Sequence, residues 1–373
     1  MSGTRGFRLL VAALVLLPLA ASQASEHTYR IGALLITSGR AKFYGEVMNR
    51  GIEMAVEEIN KAGGVKGKKL EVVVEDWGYD TKRAVSGFIK LAEVDRIPVV
   101  ITGGSDAVLA IAPVAEKYKV VNFNAAANSA DIRTAGDYTF SNLNDAIVTA
   151  SELATFVADR KKLHRVAFFG EKTEYGLSNA KWFKARFTEK GGTVLDEIFY
   201  TTGQPSDFKS PLTKLKSLDA EGVVLIGTAS DVGRILKQAK QLGIKTPWFG
   251  SAEGVTPAML ELAEGAAEGF VYVDNAFDPQ GGSPAMRAFG EKYRARYNQE
   301  PILYVATHYD AIYLIAKAIE AGGYSGEGIK NGLYQIKGHA GVLGSISFDK
   351  DGAVTLPTTM KMIKDGKFMT YRD

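Results

Sequence analysis

The feature that most constrains this chain is a strict alternation of short apolar runs with amphipathic stretches, written out twice. Residues 29–35 read as a strand, and 44–61 as a helix with Met48, Ile52, Ala55, Val56 and Ile59 on one face. Gly63 and Gly64 end that helix, and 70–74 (Leu-Glu-Val-Val-Val) is the next strand. A helix over 81–93, a strand at 98–102, a helix over 105–117 and a strand at 120–123 follow. Parallel strands need crossover helices, so this βαβα order predicts a doubly wound parallel sheet with helices on both faces.

The same grammar restarts after about residue 145. A helix at 147–161 leads to a strand at 165–170, helices at 178–190 and 208–217, and a strand at 222–227. A helix at 231–242, strands at 247–250 and 269–273, and long helices at 284–297 and 304–321 come next. The tail carries strands at 344–348 and 359–363. Two α/β units without a Pro- or Gly-rich linker predict two lobes joined by several short crossovers.

The first residues set the compartment. Arg5 and Arg8 precede an apolar run from Leu9 to Ala21 and the small-x-small site Ser22-Gln23-Ala24, the three parts of a secretory signal peptide cut after Ala24. That run falls short of the ~20 residues that cross a bilayer. Losing the two arginines lowers the formal charge from +3 to +1, which offers no electrostatic footprint for nucleic acid. The chain has no cysteine, so it holds no disulfide, thiolate metal site, cysteine nucleophile or lipid-modified cysteine. An unanchored periplasmic protein is the expectation.

Familiar catalytic patterns are missing. His27, His164, His308 and His339 lack metal-ligand spacing and read as surface or packing residues. There is no Gly-x-Ser-x-Gly elbow, and no Gly-x-Gly-x-x-Gly after the first strand. The stretch Gly63 to Lys69 superficially suggests a phosphate loop, but it follows a helix instead of opening one and reads as a C-cap and turn. Glu75, Asp76 and Asp80 lack calcium-loop spacing. No enzyme chemistry, cofactor or metal is predicted.

Several stretches carry a resemblance: Ser38-Gly39-Arg40-Ala41-Lys42-Phe43-Tyr44-Gly45, Glu58-Ile59-Asn60-Lys61-Ala62-Gly63-Gly64-Val65-Lys66-Gly67-Lys68, and Gly104-Ser105 leading to Ala112-Pro113-Val114-Ala115-Glu116. Glu174-Tyr175-Gly176, Leu236-Lys237-Gln238-Ala239 and Glu264-Gly265-Ala266-Ala267-Glu268-Gly269 complete the set. In order and spacing, from Ile31 to about residue 367, the chain resembles the periplasmic leucine/isoleucine/valine-binding proteins of ABC transporters. The resemblance implies the type I periplasmic binding fold, with two doubly wound parallel-sheet lobes joined by a multi-strand hinge. It implies a first lobe of 25–145 plus 277–352 and a second of 146–276 plus 353–373.

It also implies a site in the cleft between the lobes. Ser105 follows a strand and opens a helix, where a hydroxyl N-cap and free N–H groups attract a carboxylate. In the family the matching serine holds the solute's α-carboxylate. By resemblance Ala126, through backbone groups, and Asn128, through backbone and side chain at a position occupied by threonine in the relatives, hold the carboxylate together with Ser105. Glu253 matches, within one residue, the acid that pairs with the solute's α-ammonium. Tyr44 and Tyr175 match tyrosines lining the cleft, and Thr228 replaces another, leaving room for a different or larger side chain. Trp77 and Tyr79 also follow a strand and could face the cleft or pack in the core.

The expected function is hinge closure around a branched-chain or other hydrophobic amino acid, delivered to a membrane permease by a monomeric receptor. Two alternatives stay open: a carboxylic acid lacking an amine, and a sensing module for a membrane receptor.

Overall fold

The computed structural model describes residues 28–39, 41–201 and 207–372. The leader at 1–24, His27 and Arg40 lie outside the described residues. The first half runs β1 (Thr28–Leu35), α1 (Lys42–Lys61), β2 (Lys69–Asp76), α2 (Thr81–Ile89), β3 (Val99–Gly103), α3 (Ser105–Tyr118), β4 (Val121–Ala126) and β5 (Thr139–Ser141). These strands form a parallel five-stranded sheet in the order β2-β1-β3-β4-β5.

The second half runs α4 (Ala146–Thr155), β6 (Arg165–Glu171), α5 (Glu174–Glu189), β7 (Thr193–Tyr200), α6 (Lys209–Lys216), β8 (Gly222–Ile226), α7 (Ala229–Gln241), β9 (Trp248–Ser251), α8 (Pro257–Ala263) and β10 (Val271–Asn275). Then come α9 (Pro284–Tyr297), α10 (Leu303–Gly322), α11 (Gly326–Tyr334), the hairpin β11 (His339–Gly341) and β12 (Gly344–Ile346), β13 (Thr358–Lys364) and β14 (Lys367–Thr370). The second sheet is ordered β14-β13-β10-β9-β8-β6-β7, parallel except for β13 and β14.

The late helices return to the first sheet, and one carboxylate explains much of this. Glu58 on α1 accepts from the Tyr309 hydroxyl at 2.7 Å, the Tyr313 hydroxyl at 3.0 Å and Lys292 at 3.0 Å, tying α9 and α10 to α1. Two residues on, the Asn60 amide brackets both backbone groups of Leu70 at 2.7 and 2.9 Å and so sets β2 against α1. The α10 helix is buried on nearly every side, which is why it carries so little amphipathic pattern.

The chain passes between the sheets three times, after β5, β10 and β12. Asn144 stitches these crossings: its amide donates to Leu356 O at 2.9 Å and accepts from Leu356 N at 2.8 Å, while its own N–H reaches Asn275 at 3.4 Å. A buried amide satisfied on both sides fixes the register of crossings that share no sequence proximity.

Most elements fall where the alternation predicts. The helices expected over 81–93 and 147–161 end in π turns at Lys90–Val94 and Phe156–Arg160. The helix expected from 178 begins at Glu174, capped by the Thr173 hydroxyl on Gly176 N. Strands β5, β7, β11 and β14 and helices α8 and α11 carry no clear pattern: β5 and β11 have three residues each, and α11 begins Gly-Glu-Gly.

Candidate ligand-binding cleft

Tyr44, Ser105, Ala126, Asn128, Tyr175, Thr228 and Glu253, drawn from both halves of the chain, line a single cavity. It leaves about 60 Å³ in which the centre of a water molecule fits. One water needs roughly 10–15 Å³ on this measure, so a small solute has room. The walls are in contact. The Tyr44 hydroxyl on α1 donates to Glu253 O and accepts from Ala229 N, both at 3.0 Å. Ser178 accepts from Ala130 N at 2.9 Å, and Asn179 donates to Asn128 Oδ1 at 2.9 Å.

On the first wall, Gly103, Gly104 and Ser105 bring the start of α3 to the cavity. Here the structure corrects the sequence reading. Gly104, with φ +81°, is the N-cap, and Ser105 is the first helical residue. The Ser105 hydroxyl accepts from Ser129 N at 3.2 Å, so it braces the adjacent loop and does not cap its own helix. No side chain caps α3, whose first-turn N–H groups and positive helix end are left for an anion. Glycine is required at 104: its φ is left-handed, and a Cβ would sit 2.6 Å from the Trp77 ring.

β4 extends to Ala126, whose N–H is spent on Asn124 Oδ1 at 3.1 Å. Its carbonyl accepts a long 3.4 Å contact from Gly104 N and has a second lone pair, so with the N–H spent Ala126 presents an acceptor to a solute and not the carboxylate contact that the resemblance implied. The Asn128 amide is held by Thr149 at 3.0 Å and Asn179 at 2.9 Å, which fixes this stretch of the wall.

On the second wall, β9 runs into the turn Ala252–Gly254 that carries Glu253. Its carboxyl approaches the Tyr175 hydroxyl at 3.5 Å, and that hydroxyl also shares a 2.6 Å bond with Ser251. Burial pushes the Glu253 carboxyl above its ordinary 4.5, against the hydrogen bonds that favour the ion. Among the described residues no cation forms an ion pair with it. A desolvated acid of this kind lacks the positive partner that would hold it ionised. Behind it, burial raises Glu171 to about 7, although Thr173 donates to it at 2.9 Å; nearby Asp231 adds to the rise. The Thr228 hydroxyl oxygen is buried without a hydrogen-bond partner among the described residues.

The two tyrosines occupy equivalent places. Each precedes a glycine in the first turn of the helix that follows its lobe's first strand: Tyr44-Gly45 after β1 and Tyr175-Gly176 after β6. A Cβ on Gly45 would lie 2.0 Å from Ile36 O, and one on Gly176 1.9 Å from Glu171 O. The close helix–strand approach turns each tyrosine toward the cleft. Neither phenol ionises readily, because both are buried beside carboxylates.

Trp77 and Tyr79 also line the cavity and stack on each other with ring centres 5.2 Å apart. Sequence reasoning did not select Tyr304 and His308, which also face it. Their i, i+4 spacing puts them on one stripe of α10, but a helix buried all round gives that stripe no contrast.

The periplasmic binding protein family model matches residues 28–367. A curated relative, the leucine-, isoleucine-, valine-, threonine-, and alanine-binding protein of Pseudomonas aeruginosa, is 29% identical over 328 residues, covering 86% of each chain. The branched-chain amino acid transporter substrate binding protein LivJ of Streptococcus pneumoniae, solved with isoleucine, has TM-score 0.85 and 28% identity over 91% of this chain and 97% of its own. A leucine binding protein of Thermotoga maritima, at 23% identity, shares the fold at TM-score 0.87 over 92% of this chain and 98% of its own. Two parallel sheets, a crevice at their strand ends and a match along almost the whole described chain converge: this chain belongs to the periplasmic binding protein family, whose members bind solutes and are not enzymes.

Proposed function

We propose that this protein binds an amino acid between its lobes and presents the closed form to the permease of an ABC transporter. The observation that carries the reading is Glu253, a desolvated carboxyl without an ion-pairing cation among the described residues, in one cavity with the uncapped start of α3. A zwitterion answers both ends. Its carboxylate takes the N–H groups at Ser105 and the wall held by Asn128, and its ammonium takes Glu253 and the Ala126 carbonyl. Tyr44, Tyr175 and Thr228 shape the space left for the side chain. The named solutes of the Pseudomonas and Streptococcus relatives are of this class.

The lobes are 25–145 with 277–352, and 146–276 with 353–373, turning about the crossings that Asn144 stitches. A ligand touching both walls favours the closed form by its differential contacts. The protein acts as a periplasmic monomer, released by cleavage after Ala24 and without a lipid anchor. Among the described residues no helix is long and apolar enough to cross a membrane.

Isothermal titration with a panel of aliphatic and aromatic amino acids and the matching deaminated acids tests the reading. Binding of amino acids, with the deaminated acids at least tenfold weaker, supports it. Binding of deaminated acids alone, or of no member of the panel, overturns it.

A further inference from the structure

His308 lies on α10, is 1% exposed and lines the cavity. Its Nδ1 sits 2.8 Å from Tyr304 O. A carbonyl only accepts, so the proton is on Nδ1 and the imidazole donates to the helix backbone. Burial holds the ring neutral, with its titration lowered to about 4. Nε2, on the ring edge away from that bond, is therefore a bare acceptor, and it makes no hydrogen bond among the described residues. Leu34, Ile36, Met48 and Tyr304 give the same cavity apolar and aromatic lining. Among the described residues, Glu253 is the one carboxylate lining the cavity, so a second cationic group on the solute would find no partner at this end.

We propose that His308 determines specificity: its Nε2 selects an amino acid whose side chain carries a neutral hydrogen-bond donor, such as a hydroxyl, over an apolar side chain of the same shape. The inference rests on the amino-acid reading above and adds the class of side chain. An apolar isostere would leave Nε2 desolvated and unpaired, which is where most of the discrimination arises.

The test compares matched pairs by isothermal titration, L-threonine against L-valine and L-tyrosine against L-phenylalanine, on wild type and His308→Leu. The hydroxylated member binds wild type at least about tenfold tighter in one pair. In His308→Leu that ratio falls to about one while the apolar member still binds. A second readout needs no variant: the Nε2 nitrogen resonance of the wild-type protein moves upfield with the hydroxylated ligand and stays in place with its isostere. Equal affinities in both pairs, a ratio unchanged in His308→Leu, or an unmoved resonance overturns the role of His308 while amino-acid binding stands. No binding by any of the four overturns the role of His308, and the wider panel above decides amino-acid binding separately.

Discussion

The two walls of the cleft share one architecture and carry opposite chemistry. Both place a tyrosine on the first turn of the helix after the lobe's first strand, with a glycine behind it pressed on a strand-end carbonyl. Beyond that the walls diverge. The first gathers donors: an uncapped helix start, braced where the Ser105 hydroxyl accepts from Ser129 N, and a wall fixed by the Asn128 amide between Thr149 and Asn179. The second gathers acids, with Glu253, Glu171 and Asp231 close enough to disturb one another or their neighbours. A repeated scaffold thus supplies position, and local substitution supplies sign. The wall of donors is held by bonds within the fold, whereas Glu253 on the acid wall has no ion-pairing cation among the described residues.

The largest expected effect breaks the acid wall. Glu253→Gln keeps shape and removes the charge, and should weaken amino-acid binding by about 2–4 kcal/mol, roughly 30- to 1,000-fold. Titration calorimetry reads this, and unchanged affinity would dissolve the contrast between the walls. Next come the paired glycines. Gly45→Ala and Gly176→Ala each drive a methyl into a backbone carbonyl and should each cost about 2–3 kcal/mol in urea unfolding. A large difference between the two variants would end the equivalence of the two turns.

The tyrosines separate the walls more finely. Tyr44→Phe removes its two hydrogen bonds to the second lobe, so affinity should fall about tenfold and small-angle scattering of the liganded protein should show a more open population. Tyr175→Phe loses contacts only within the second wall and should cost about fivefold with closure intact. The smallest effect is that of pH. Glu253 in the free protein titrates above 4.5, so acidification neutralises it before ordinary carboxylates. Pairing with the ammonium is present above that pKa and lost as pH falls through it. Affinity should drop several-fold as acidification neutralises Glu253, and Glu253→Gln should flatten the profile; an equally steep profile in that variant would assign the effect elsewhere.

Much of the fold was legible along the chain because helix and strand periodicities are short-range properties. The motif Glu58-Ile59-Asn60 can be singled out from sequence, but its reason is tertiary: Glu58 anchors two helices more than 200 residues away, and Asn60 brackets Leu70. The site residues were reached through a resemblance, and the structure brings all seven to one cavity. Ser105 was legible in position but not in role, since the hydroxyl's direction depends on Ser129 across the loop. His308 was illegible because a helix buried on nearly every side hides which of its faces borders a void.

The sequence by itself determined the alternation, hence two doubly wound sheets, and the N-terminal pattern, charge and lack of cysteine on which the expectation of an exported receptor rests. Only the tertiary structure decided that Tyr44 would meet Glu253 from 209 residues away, that Glu253 would be desolvated without an ion-pairing cation among the described residues, and that His308 Nδ1 would meet Tyr304 O. The physical reason is range. Periodicity is set by neighbours within a turn or a pleat, whereas desolvation and proton placement are set by whatever the finished fold brings within a few ångströms.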